Sequence, residues 1–200
     1  METPALTLVD WRVRVSDLYA QVRSHDDPER GHAIWRAGRD DLFRTHPQSP
    51  LPTDDPLRET GLPYWPYDPD WRFTVPLQPA EHDERELDTG DDGGLVMRRI
   101  ATVELPPGGT LDVWTMHQYA GGLFVPIKDG TAGSGSYGAG RYLLDTAKGS
   151  WLGGGESSIV LDLNFAYHPS CRYDDRWRCP LAAPGNTVDV RVEAGERLMP

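Results

Sequence analysis

The chain has 200 residues, which suits one domain or one domain with an appendage and is enough to bury a core. Hydrophobic residues make up 38%, with 21 Gly and 18 Pro, so the chain reads as short strands and many turns, while seven Trp and eight Tyr argue against disorder. A net charge of −11 disfavours nucleic acid and anionic membrane as partners, since both need a basic footprint, and no apolar run approaches a membrane span.

The N-terminal stretch has charges where a signal peptide needs an apolar run, and the protein reads as cytoplasmic. Leu8, Trp11, Val15, Leu18 and Val22 recur at spacings of three and four, which predicts a first helix with these residues on one face. Asp27-Pro28-Glu29 starts a second helix: a capping carboxylate, a proline that needs no N–H, then an acid at the positive end of the dipole. It should run from about Pro28 to Arg44 with Ile34, Trp35, Leu42 and Phe43 inward. His25, His32 and His82 stand among charged residues and read as exposed.

From 46 to 70 the chain is dense in proline, which forbids helix and central strand alike. Leu57, Leu62, Tyr64, Trp65 and Tyr67 are too apolar for a solvated linker, so an ordered wrap over the surface is expected. Alternation then predicts strands at Trp71–Leu77, Leu95–Leu105, Leu111–Tyr119, Leu123–Ile127, Arg141–Asp145, Ser158–Phe165 and Val188–Val192. His117 falls among the apolar residues of one of these and reads as a core histidine, while the acidic run from Glu81 to Asp92 reads as a solvated loop. Tight turns with no room for crossovers exclude a parallel sheet. The expected fold is mainly β within an α+β chain: an antiparallel barrel or sandwich of about seven strands with two N-terminal helices. Three units follow: a helical hairpin over 1–45, the wrap over 46–70 and a barrel domain over 71–200.

Gly133-Ser134-Gly135-Ser136-Tyr137-Gly138 matches G-x-G-x-x-G in letters only. It is followed by a strand rather than a helix, so it offers no helix N-terminus to a pyrophosphate; its glycines suit a hairpin with positive φ. No organic cofactor is implied. Cys171 and Cys179, eight apart beside His168, are too few for a disulfide framework and match no strong zinc pattern. Two inert thiols, a redox pair and a metal site stay open, and no metal is assigned. The Asp174-Asp175-Arg176 turn should bring the two sulfurs within about 8 Å of each other.

Several stretches resemble a bacterial and archaeal family known as domain of unknown function 1684, over about residues 35–198: His46–Leu51, Tyr137-Gly138-Ala139-Gly140-Arg141-Tyr142-Leu143, and Leu161 to Arg197 with its paired Cys and its Ala194-Gly195-Glu196 element. Two positions depart from the expected pattern: His168 precedes Pro169 where Asn is expected, and Lys128 precedes Asp129 where Arg is expected. The resemblance implies a fold and a site without a reaction.

Polar residues in these stretches form the candidate site. Asp162 and Asn164 lie two apart on one strand face, opposite Ile159, Leu161, Leu163 and Phe165, and would look into the barrel. A buried carboxylate there needs a partner, and Arg141 on the glycine-rich hairpin is the natural one. Tyr137, Arg141, Asn164 and Tyr167 are the ligand-binding candidates, and His46 and Asp162 the acid–base candidates. The expected function is binding of a small polar or carboxylate-bearing molecule, with cofactor-independent acid–base catalysis as an extension. A sensor or carrier domain, or a protein-interaction module using Tyr64, Trp65 and Tyr67, is the alternative.

Overall fold

The computed structural model describes residues 3–88, 93–117 and 121–199. Helices α1 (Pro4–Arg23) and α2 (Pro28–Thr45) pack against each other. The start of α2 is as the sequence reads: Asp27 accepts from the N–H groups of Glu29 (3.0 Å) and Arg30 (3.3 Å), with Pro28 inside the first turn. A one-turn α3 (Leu57–Thr60) sits in the proline-rich wrap, whose Leu51, Leu62 and Tyr64 are buried. With Tyr64 buried, the wrap presents no open aromatic patch through that residue.

Among the described residues seven strands follow: β1 (Arg72–Pro76), β2 (Glu84–Asp88), β3 (Gly94–Glu104), β4 (Thr110–His117), β5 (Leu123–Ile127), β6 (Arg141–Asp145) and β7 (Ser158–Asp162). β2 to β6 form an antiparallel meander, and β1 pairs with β7 in a separate antiparallel ribbon. Val75, Ile159 and Leu161 of the ribbon share a core with Val103, Leu111, Val113, Val125 and Ile127 of the meander, a sandwich-like contact. A closed barrel is not formed. Among the described residues the segments that follow β1 and β7 meet the meander by single bridges, Gln78 with Thr102 and Tyr167 with Tyr142. β7 cannot extend to close the gap, because the Asp162 side chain accepts the N–H of Asn164 (3.0 Å) and turns Leu163–Phe165 into a 3-10 helix. The strand expected to reach Phe165 therefore ends at Asp162, and Phe165 joins the helical core instead of the sheet core.

Three further expectations change. Part of the acidic run is strand β2, paired with β3 from Glu84↔Arg98 to Asp88↔Gly94; residues 89–92 of that run lie outside the described residues. Opposite charges across the pair, Arg98 to Glu84 at 2.6 Å, make an acidic edge strand tolerable. Residues 129–140 form successive tight turns rather than a hairpin arm. Val188–Val192 is not a strand: Val188 N–H donates to the Lys128 carbonyl (2.9 Å) and the Val190 carbonyl accepts the Gly130 N–H (2.9 Å), but at Val192 the backbone turns to side chains, its N–H donating to Asp129 Oδ2 (2.8 Å) and its C=O accepting from Arg141 (2.9 Å).

One irregularity sets the two faces of the meander. The register of β3 against β4 slips between Arg99 and Ala101, leaving Ile100 as an extra residue, 47% exposed. A bulge of one residue swaps the faces of the strand. Thus Ala101 and Val103 join the core under the ribbon, while Leu95 and Met97 pack with Trp114, Phe124 and Tyr142 on the opposite side. His117, at the end of β4, is exposed and lies 3.4 Å from Arg98, so it is no core histidine.

Candidate functional site

The sequence candidates fall into separate places. His46 follows the last turn of α2: its Nδ1 accepts from Gln48 N–H (3.0 Å) and its Nε2 faces Asp10 of α1 at 3.1 Å. Both ring nitrogens are thus used in closing α2 and tying it to α1. The expected Arg141–Asp162 ion pair does not exist. Asp162 is bound by Arg72 of the paired strand (3.0 Å) and by both the N–H and the side-chain amide of Asn164 (3.0 and 2.8 Å). Burial raises the Asp162 pKa, and the bonds from Asn164 and Arg72 oppose that rise. Asn164 also spans to the wrap, bonding the Asp68 carbonyl (2.8 Å) and N–H (3.0 Å).

Arg141 is fully buried and binds Asp129 Oδ1 at 3.0 Å. It also donates to the carbonyls of Val192 (2.9 Å), Ala194 and Glu196 (3.1 Å). Asp129 in turn accepts from Thr131 N–H (3.0 Å), Thr131 Oγ1 (2.8 Å) and Val192 N–H. This set of bonds fastens the C-terminal segment to β6. Gly195 lies within that segment at φ 77°, where an added Cβ would come within 2.6 Å of the Ala166 carbonyl oxygen, so only glycine fits.

A cavity of about 70 Å³ lies elsewhere, between the two helices and the loops that follow β6 and β7. Trp11, Leu18, Trp35 and Phe43 give it an apolar wall; Tyr142, Tyr167 and His168 close the sheet side. Tyr167 is the ligand-binding candidate found here; Tyr137, Arg141, Asn164, Asp162 and His46 do not line it. Ser150 and Tyr19 form a hydroxyl pair in the lining (3.1 Å), and Lys148 is half-exposed beside them. Such a space suits ordered water or a small ligand with a few polar groups.

Arg39 is the central polar residue of this cavity. Its guanidinium lies 4.3 Å from the Phe43 ring centre and 4.8 Å from that of Tyr167, and it donates to Glu196 Oε2 at 2.9 Å. Glu196 is fully buried: Oε2 also accepts the N–H of His168 (2.9 Å), and Oε1 accepts the Tyr173 hydroxyl and faces His168 Nδ1 at 3.4 Å. His168 Nε2 accepts the Tyr137 N–H (3.1 Å), so Nδ1 is the protonated nitrogen and points at Glu196. Arg39 Nε, by contrast, is buried without a hydrogen-bond partner among the described residues. Arg36, Arg141 and Arg197 share that condition at Nε but do not line the cavity.

The sequence carries a signal for Arg39 that the apolar pattern hides. His32, Trp35, Arg39, Leu42 and Phe43 follow helical spacing, so a charge and an imidazole sit inside the buried stripe of α2. His32 is correspondingly buried rather than exposed, its Nε2 bonded to the Asn164 carbonyl (2.9 Å) and its ring stacked on Trp35 at 5.6 Å.

Two groups make stability acid-sensitive. Burial holds His32 down at about 4, against an ordinary 6.5, despite its bond to the Asn164 carbonyl. Burial would raise Glu196, but Arg39 and His168 overcome it and hold it at about 2, against 4.5. In both cases the unfolded chain binds more protons between the two values, so stability is lost as the pH is lowered through that range. His32 contributes between pH 6.5 and 4 and Glu196 between 4.5 and 2. At about 1.4 kcal/mol per pKa unit each amounts to about 3 kcal/mol. Urea midpoints should therefore drop from neutral pH downward in two stages, and His32→Gln should remove the upper stage; an unchanged upper stage would contradict this.

The family model described as Protein of unknown function (DUF1684) matches residues 59–197. This chain belongs to that family. The solution NMR structure of an uncharacterised protein of Haloarcula marismortui is 35% identical to this DUF1684 chain, covering 82% of it and 90% of the archaeal chain, with a TM-score of 0.57. No curated protein matches the chain. The DUF1684 match includes Tyr142, Tyr167, His168 and Glu196; α1, α2 and the His46–Leu51 run lie outside it. The cavity is thus walled on one side by the DUF1684 segment and on the other by two helices that precede it. Among the described residues no helix is long and apolar enough to cross a membrane, and no three His, Cys, Asp or Glu side chains are grouped to hold a metal.

Proposed function

We propose that this DUF1684 protein binds a small molecule in the cavity between its helical pair and its β-rich part. The 1–45 hairpin and the 46–70 wrap then serve as the cover of a 71–200 ligand-binding unit. The observation that carries the reading is Arg39: a buried guanidinium lining an aromatic-walled cavity, with its Nε unpartnered. A buried donor left without an acceptor costs about 1–3 kcal/mol, and a ligand oxygen at that nitrogen recovers it. The ligand class is a carboxylate of only a few heavy atoms, to suit about 70 Å³: the rings take its short apolar end, Arg39 the acceptor.

A binding role is favoured over acid–base catalysis because the candidate groups are engaged elsewhere. His46 and His168 use both ring nitrogens, and Asp162 is tied to Arg72 and Asn164. Titrating the protein with acetate and propionate, followed by Trp11 and Trp35 fluorescence and by calorimetry, tests the reading. Saturable binding is expected, weakened by about tenfold or more in Val15→Phe, which fills the cavity from α1. Failure of every small carboxylate to saturate, or equal binding by a folded Val15→Phe protein, would overturn it.

A further inference from the structure

Cys171 and Cys179 sit beside the cavity without lining it. Cys171 follows Ser170 of the cavity wall in a 3-10 turn (Ser170–Arg172), and Cys179 begins the loop that leads back to the sheet. Both thiols are free and partly exposed. The Cys171 N–H donates to Cys179 Sγ at 3.4 Å, which meets the proximity expected from the turn between them. Lys148 adds positive charge on the same sulfur. The Cys171 N–H thus points at the Cys179 sulfur and the Lys148 charge acts on it from further off, a setting that favours the Cys179 thiolate. On its open side Cys179 lines a separate groove of about 320 Å³ with Arg85, Leu87, Met97, Pro180 and Leu181.

We propose that Cys171 and Cys179 form a thiol–disulfide exchange site for low-molecular-weight disulfides, with Cys179 as the nucleophile and Cys171 as the resolving thiol. The groove gives a small disulfide room to approach Cys179 from outside. The Cys179 thiolate attacks one sulfur of the disulfide; a protein–ligand S–S bond forms, the original S–S bond breaks, and one thiolate leaves and takes up a proton. Cys171 then loses its proton to solvent and attacks Cys179 Sγ; the internal S–S bond forms and the second thiolate leaves. The small disulfide is reduced to two thiols and the protein dithiol is oxidised, so electrons and atoms balance.

The order of attack follows from the hydrogen bonds. The Cys171 thiol beside it, together with the Cys171 N–H, draws Cys179 down to about 6 against burial, and the same neighbour raises Cys171. The other ionisable groups around the pair are Lys148, held by Asp145 at 3.3 Å, Tyr142 and Tyr137, with Arg85 across the groove. Tyr142 donates to the Pro180 carbonyl next to Cys179 (2.6 Å) and Tyr142 and Lys148 also line the cavity, so oxidation of the pair adjoins the binding site.

The test uses the whole chain and 2-hydroxyethyl disulfide. With limiting reagent and an acid quench, peptide mapping of the wild-type protein should find the first adduct on Cys179. With excess reagent the intact mass should fall by two hydrogens as the internal bridge forms. Cys171→Ser should stall as the mixed disulfide on Cys179, and Cys179→Ser should react about tenfold or more slowly, as an ordinary thiol does. The rate of first modification should rise with a midpoint near 6 rather than 9. First modification at Cys171, a wild-type mixed disulfide that never resolves, or a midpoint near that of a free thiol would each overturn the proposal. The wild-type mapping decides the matter even if a variant misfolds.

Discussion

Glu196→Ala is expected to cost about 3–5 kcal/mol of folding stability, because it strands a buried cation. Glu196 is the sole carboxylate paired with Arg39 among the described residues, and Arg39 is only 12% exposed at its side chain. Burial pulls the Arg39 pKa down and Glu196 outweighs that; without Glu196 the guanidinium still stays charged, because a guanidinium does not lose its proton near neutral pH. The same substitution leaves the Tyr173 hydroxyl, the His168 N–H and His168 Nδ1 without their acceptor. Glu196→Gln keeps an acceptor oxygen but loses the charge, and should fall between alanine and wild type. Adding Arg39→Met to Glu196→Ala should recover part of the loss, since the unpaired charge is then gone. Urea midpoints of the four proteins measure this; a single-variant loss below about 1 kcal/mol, the range of a surface pair, would show that Glu196 does not hold a buried charge.

Arg141→Ala should be comparably damaging, and for a different reason. Its guanidinium links one carboxylate and three carbonyls, so its removal leaves Asp129 charged and buried and frees the backbone of Val192, Ala194 and Glu196. A loss of about 3–5 kcal/mol follows from breaking such a buried pair. Arg141→Lys should rescue little, because one ammonium cannot reproduce a planar fork aimed at four oxygens. Amide exchange should rise first around residues 187–197, the segment that Arg141 fastens to β6. A folded Arg141→Ala protein with intact protection there and lost carboxylate binding would return Arg141 to the ligand site, as the sequence alone suggested.

The helices and most strands were legible because their signals are local. Asp27-Pro28 specifies a cap by its own chemistry, and alternation over Leu111–Val113 or Val125–Ile127 needs no knowledge of the partner strand. The proximity of Cys171 and Cys179 is local too, a turn closing on itself. What the sequence could not decide is which distant group satisfies a buried charge. Arg141 and Asp162 both need partners, but the choice of Asp129 for one and Arg72 for the other follows from strand pairing, β1 beside β7 and the turn at Asp129 beneath β6. Arg39 and Glu196 meet across 157 residues, and His32 is buried because the Asn164 carbonyl lies opposite it. Val188–Val192 alternates as a strand should, yet its backbone is shared between the backbone of Lys128 and Gly130 and the side chains of Asp129 and Arg141 rather than taken up by a neighbouring strand. Periodicity determines which face of an element is buried; only the packed chain determines which polar groups find each other there, because that depends on contacts between segments with no local spacing in common.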